Sequence, residues 1–161
     1  MRRTLVVLIV LVSACARWSE SDTTKERAVM NPSDVRHISV AINRSPREVY
    51  DFASKPENLP RWARGLAGSI ENVGGEWIAE SPMGTVRVRF VEPNAFGVLD
   101  HDVRLESGVS VHNSMRVVAR DDGRSEVIFT LFRRPGVSDA EFDSDAGAVE
   151  KDLGTLKEIL E

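Results

Sequence analysis

A chain of 161 residues that is 42% hydrophobic and 29% charged is long enough for one domain with a real core, and too apolar for a disordered polymer. Its 25 acidic residues outnumber the 21 basic ones, leaving a formal charge of −4 and no positive field with which to hold nucleic acid. The single cysteine, Cys15, forms no internal disulfide and offers no metal cluster, so the fold rests on apolar burial.

The chain opens on Met1-Arg2-Arg3, a cationic start, followed by the apolar run Leu5 to Val12, which is too short to cross a bilayer. The run ends in Val12-Ser13-Ala14-Cys15, which resembles the lipobox of bacterial lipoproteins. That resemblance implies a signal peptide over residues 1–14, lipidation of Cys15, and an address in the cell envelope with the acyl chains as the only membrane contact. Translation from Met30 is the alternative, and would give a cytoplasmic protein. Residues 15–33 include the polar, aperiodic stretch Ser19 to Arg27 and read as a flexible tether. Residues 34–161 form the domain.

Within the domain, Val35 to Ile42 alternates His37, Ser39 and Ala41 with Ile38, Val40 and Ile42, the period of a strand with one buried face. Ser45-Pro46-Arg47-Glu48 supplies an N-cap, a proline at the first helical position and a glutamate at the third, and so starts a helix. A second short helix is expected over Pro56 to Arg64. From Gly68 to Arg134, breaks at Gly74-Gly75, Pro82-Met83-Gly84, Glu92-Pro93-Asn94, Ser107-Gly108 and Asp121-Asp122-Gly123 divide the chain into six hairpin-linked strands. Ser138-Asp139-Ala140-Glu141 then caps a long helix with Phe142, Ala146, Val149, Leu153, Leu156 and Leu160 on one side.

The order β-α-α-β6-α defines an α+β class. The segments Ile38 to Phe52, Glu57 to Trp62, Phe96 to Val103 and Phe132 to Gly136 resemble SRPBCC proteins of the polyketide cyclase/dehydrase-like subgroup. The resemblance spans the whole domain. It implies a helix-grip (START-like) fold in which a curved seven-stranded antiparallel sheet wraps a long C-terminal helix. Superfamily members bind lipids, sterols or hormones, or act as cyclases, so the resemblance speaks to fold more than to activity.

A curved sheet cannot lie flat on a straight helix, and the gap between them is a cavity unless bulky side chains fill it. Strand parity turns Val88, Phe90, Leu99, His101, Val103, Asn113, Met115 and Phe129 inward, with Trp62 near the mouth and Phe142 and Val149 from the helix, and Trp77 is expected to join this lining. Each apolar member alone is explained by core packing, and only the group argues for a pocket. His101 and Asn113 break the apolar pattern. Asp100 and Asp102 flank His101 in a strand and so face away from its ring. If His101 acts, it does so alone or with Asn113 from the next strand, as a hydrogen-bonding anchor or as a general base; the alternative is a buried histidine satisfied by the backbone.

His37, His101 and His112 are too far apart, and on differing faces, to make a metal site. No Gly-x-Ser-x-Gly elbow and no phosphate-binding glycine loop occurs, and no cofactor is implied. These observations favour binding of a small hydrophobic molecule, such as a lipid, an aromatic or a polyketide-like compound. The alternative is a cyclase or dehydratase with His101 as acid/base. The sequence leaves the oligomeric state open.

Overall fold

The alternation over Val35–Ile42 becomes strand β1, with Ile38 and Ile42 buried and His37, Ser39 and Ala41 exposed. The computed structural model describes residues 34–161 apart from residues 82 and 83. The expected signal peptide, tether and Cys15 lie outside the described residues.

Helix α1, Pro46–Ala53, opens on a capping box in which the Ser45 hydroxyl accepts from the Glu48 N–H and the Glu48 carboxylate accepts from the Ser45 N–H. It buries Val49 and Ala53. The second helix is shorter than the sequence suggests. A single 3-10 turn, Pro56–Asn58, leads into α2, Leu59–Trp62, and the chain leaves helical geometry at Ala63. Leu59 and Trp62 are its buried anchors, so the element holds through contact with the core rather than through length.

Six strands follow: β2 (Ser69–Val73), β3 (Glu76–Ser81), β4 (Gly84–Phe90), β5 (His101–Leu105), β6 (Ser110–Ala119) and β7 (Ser125–Phe132). Every neighbouring pair is antiparallel, in the order β1-β7-β6-β5-β4-β3-β2, so the first strand joins the sheet beside the last. Arg87, Arg89, Asp102 and Arg104 stand on the outer face, while Val86, Val88, Val103, Met115, Val117, Val127 and Phe129 are buried on the inner one. Outer pairs such as Arg87–Glu76 at 3.3 Å are exposed and add little stability.

Between β4 and β5 the chain is shaped by Asn94. Its side-chain oxygen accepts from the Phe96 and Val98 N–H groups, its amide donates to the Glu92 and Val98 carbonyls, and its own N–H donates to the Tyr50 hydroxyl at 2.8 Å. Gly97 then presses against β6. It has φ +70°, its carbonyl accepts from the Val117 N–H at 2.8 Å, and an added Cβ would lie 2.2 Å from the Val117 carbonyl oxygen. The pairing continues through Val98↔Arg116 and the Leu99 N–H bond to Met115, and so delivers His101 to the start of β5.

Helix α3, Asp139–Leu160, starts on the second capping box, Ser138 with Glu141, and buries Phe142, Ala146, Leu153 and Leu156. It packs chiefly along β1 and against α2. Its hold is therefore on one side of the sheet, and the faces of β5, β6 and the end of β7 are left facing a gap.

Candidate functional site

That gap is a cavity of about 220 Å³. Its walls come from Val103 and Leu105 on β5, Val111, Asn113 and Met115 on β6, Phe129 and Leu131 on β7, Trp62 and Leu66 at α2, and Val149 and Leu153 on α3. The lining is mainly apolar because strand alternation and the helical three-and-four spacing turn their hydrophobic faces toward the same space. Exposed residues Phe132, Arg134, Asp145 and Ala148 also border it and form the mouth. An apolar hollow of roughly 150 Å³ suffices for benzene, so this one fits a one- or two-ring guest, and a longer one only by extending through the mouth.

His101 is the buried polar group of this lining, at 4% exposure. Its Nδ1 lies 3.0 Å from the Leu99 carbonyl oxygen, which can only accept, so Nδ1 carries the hydrogen. Nε2 is then the lone-pair nitrogen, and it accepts from the Asn113 side-chain amide at 3.2 Å. The register places the two residues directly opposite each other, and the Phe90 ring stacks on the imidazole at 4.8 Å. Burial pushes the His101 pKa below the ordinary histidine value, against the Leu99 carbonyl and the Asp100 charge, which raise it. The ring is neutral, of fixed tautomer and fully hydrogen-bonded.

The flanking acids are committed elsewhere. Burial alone would raise the Asp100 pKa, but the Arg116 guanidinium and the Met115 N–H outweigh it and hold the carboxyl below the usual range. Asp102 pairs with His112 at 2.8 Å on the outer face. Neither orients the His101 ring.

A histidine whose pKa falls on folding binds its proton more tightly in the unfolded chain. Its contribution is therefore intact above the unfolded value of about 6.5 and shrinks as the pH drops below it toward the folded value, by up to about 1.4 kcal/mol per pH unit. Urea titrations between pH 7.5 and 5 are expected to show the wild type losing stability more steeply than His101→Gln. Parallel profiles would mean that the imidazole is not held neutral by burial.

Of the positions assigned to the cavity from sequence, Trp62, His101, Val103, Asn113, Met115, Phe129 and Val149 border it. Trp77, Val88, Phe90, Leu99 and Phe142 do not. Val88 and Leu99 are buried in the core, and Trp77 sits half-buried across from Val88. Phe90 backs the His101 ring from behind. Phe142 is buried beneath the Arg36 and Arg133 guanidinium groups, 4.7 and 5.5 Å from its ring centre. The inner face is longer than the hollow it partly encloses, and strand parity gives the face but not the position along it.

Sequence reasoning passed over Asp152. It lies among the apolar residues of α3, one position before Leu153, and borders the cavity. Desolvation raises its pKa, opposed by the backbone N–H groups of Gly65 and Arg64 and by the Lys151 charge. The Gly65 contact, at 3.5 Å, is long. A charged residue three positions after Val149 on an otherwise apolar stripe is the signal that could have found it. The Trp62 side chain also borders the cavity, but its indole N–H is turned into the packed interior, where it has no hydrogen-bond partner among the described residues.

A seven-stranded antiparallel sheet with one long C-terminal helix gripped over a cavity defines a helix-grip protein of the START-like superfamily. The family described as polyketide cyclase/dehydrase and lipid transport matches residues 37–161, and the chain belongs to it. No curated protein matches in sequence. Among solved structures, the protein XoxI from Bacillus cereus is similar at 18% identity and TM-score 0.61, over 78% of this chain and 94% of that one. The Aha1 protein of Colwellia psychrerythraea, solved as a dimer, is similar at 16% identity and TM-score 0.61, over 79% and 96%. Ara h 8.0201 is similar at 14% identity and TM-score 0.56, over 78% and 96%. At these identities the likeness is one of fold.

Proposed function

We propose that this protein binds a small hydrophobic molecule of one or two rings in the cavity between β5, β6, β7 and α3. The observation that carries the reading is an apolar hollow of about 220 Å³ with a mouth at Phe132, Arg134, Asp145 and Ala148. Membership of a cyclase/dehydrase and lipid transport family supports hydrophobic ligands at the level of class. His101 and Asn113 form one polar spot on the wall, and a ligand oxygen arriving there competes for the Asn113 amide.

A cyclase or dehydratase reading would make His101 the base. Its Nε2 lone pair is already engaged by Asn113, and its pKa is lowered, so proton abstraction would first require the amide to turn away. Binding requires no such rearrangement. Titration with N-phenyl-1-naphthylamine is expected to give saturable fluorescence enhancement at one site per chain, displaced by naphthalene-sized compounds. Absence of saturable binding across a panel of one- and two-ring apolar compounds would refute the reading.

A further inference from the structure

We infer that the cavity selects a ligand bearing a hydrogen-bond donor, an N–H or O–H group that gives its hydrogen to Asn113 Oδ1, and that His101 is the positioning residue that frees this oxygen for it. This deepens the binding reading above and rests on it.

The hydrogens along this wall are fixed one by the next. The Leu99 carbonyl can only accept, so His101 Nδ1, 3.0 Å away, carries the ring hydrogen and Nε2 keeps its lone pair. The Phe90 ring stacks on the imidazole, and strand register sets Asn113 directly opposite it. Facing a lone pair, the Asn113 amide presents its nitrogen, at 3.2 Å. Turned over, the amide would set Oδ1 against Nε2, two acceptors with no hydrogen between them. The imidazole thus decides which end of the amide is left over, and that end is the oxygen.

Asn113 Oδ1 is unused and accessible. It has no hydrogen-bond partner among the described residues, yet it is not enclosed, since the buried side-chain atom left without a partner among them is Trp62 Nε1. Asn113 is half-buried on β6, with Val111 and Met115 two residues to either side on the same face. All three border the cavity, as does His101, so the accessible part of the amide opens onto it. Neither Val111 nor Met115 has a side-chain donor to offer the oxygen.

The leftover oxygen selects the ligand. A ligand acceptor meets Oδ1 lone pair to lone pair, and to take the hydrogen held by His101 it must leave the buried imidazole unsatisfied. A donor disturbs nothing, because it adds a bond where none exists.

The test compares indole, whose ring nitrogen donates, with quinoline, whose ring nitrogen accepts. Both are two-ring compounds with the nitrogen beside the ring fusion, and both are neutral at pH 7.5. By calorimetry on the folded wild type, indole is expected to bind about fivefold more tightly than quinoline. Asn113→Leu removes the oxygen with little change in volume and should bring the ratio near one. His101→Leu frees the amide to turn and should lower the ratio by improving quinoline, whereas a merely structural loss would weaken both compounds together. Nitrogen NMR of histidine-labelled wild type should show a protonated Nδ1 and a bare Nε2, with and without indole. Quinoline binding as tightly as indole, a ratio unaltered in Asn113→Leu, equal weakening of both compounds in His101→Leu, or a protonated Nε2 would overturn the inference while leaving the binding reading in place. Failure of both compounds to bind the wild type would instead remove the binding reading, and the inference with it.

Discussion

A tryptophan in place of Val149 is expected to abolish ligand binding while leaving the fold intact. Val149 is half-buried on α3 and borders the hollow, so the larger ring has free space to enter rather than neighbours to displace. Filling a cavity of about 220 Å³ with an indole removes the room that a two-ring guest needs. Affinity for N-phenyl-1-naphthylamine should fall by more than about tenfold, the equivalent of roughly 1.4 kcal/mol. Val149→Ala widens the same space and should retain binding. Wild-type affinity in Val149→Trp, with an unchanged circular dichroism spectrum, would place the ligand somewhere other than this cavity.

The largest stability effect is expected at Gly97. Alanine there must adopt φ near +70° and set a methyl group 2.2 Å from the Val117 carbonyl oxygen, a distance no van der Waals contact allows. The left-handed conformation alone costs an L-residue about 1–2 kcal/mol. Relief of the clash requires parting Gly97 from β6, which breaks the Val117 N–H bond to its carbonyl and loosens the approach to His101. A total loss of about 3 kcal/mol or more is expected in urea denaturation. Gly123 is the internal control. Its φ is +77° with nothing within 4 Å of an added Cβ, so Gly123→Ala should show the conformational penalty alone. Equal losses in the two variants would show that the contact with Val117 carries no energy.

Much of the fold was legible because it is written locally. Both capping boxes, at Ser45 and Ser138, start helices at the expected residues, and the alternation over β4 to β7 gives the buried face correctly. The pairing of His101 with Asn113 was likewise accessible, since hairpin register follows from turns and parity. Other features depend on contacts distant in sequence. Asp152 acquires its meaning from Gly65, 87 residues away, and no periodicity within α3 reports that contact. Phe142 resembles any other member of the helix's apolar stripe until Arg36 and Arg133 are seen to cover it. The length of the hollow along the sheet, which separates Met115 from Leu99 and Val103 from Val88, follows from how far α3 leans toward β1.

The pairing of β1 with β7 fixes where the polypeptide enters the domain. Val35 lies opposite Phe132, and the Arg133 N–H donates to the Asp34 carbonyl at 2.8 Å, so the chain arrives alongside two rim residues, Phe132 and Arg134. A bulky group joined at Asp34 would therefore sit beside the doorway, and is expected to slow ligand entry where the same group at the far end of β1 would not.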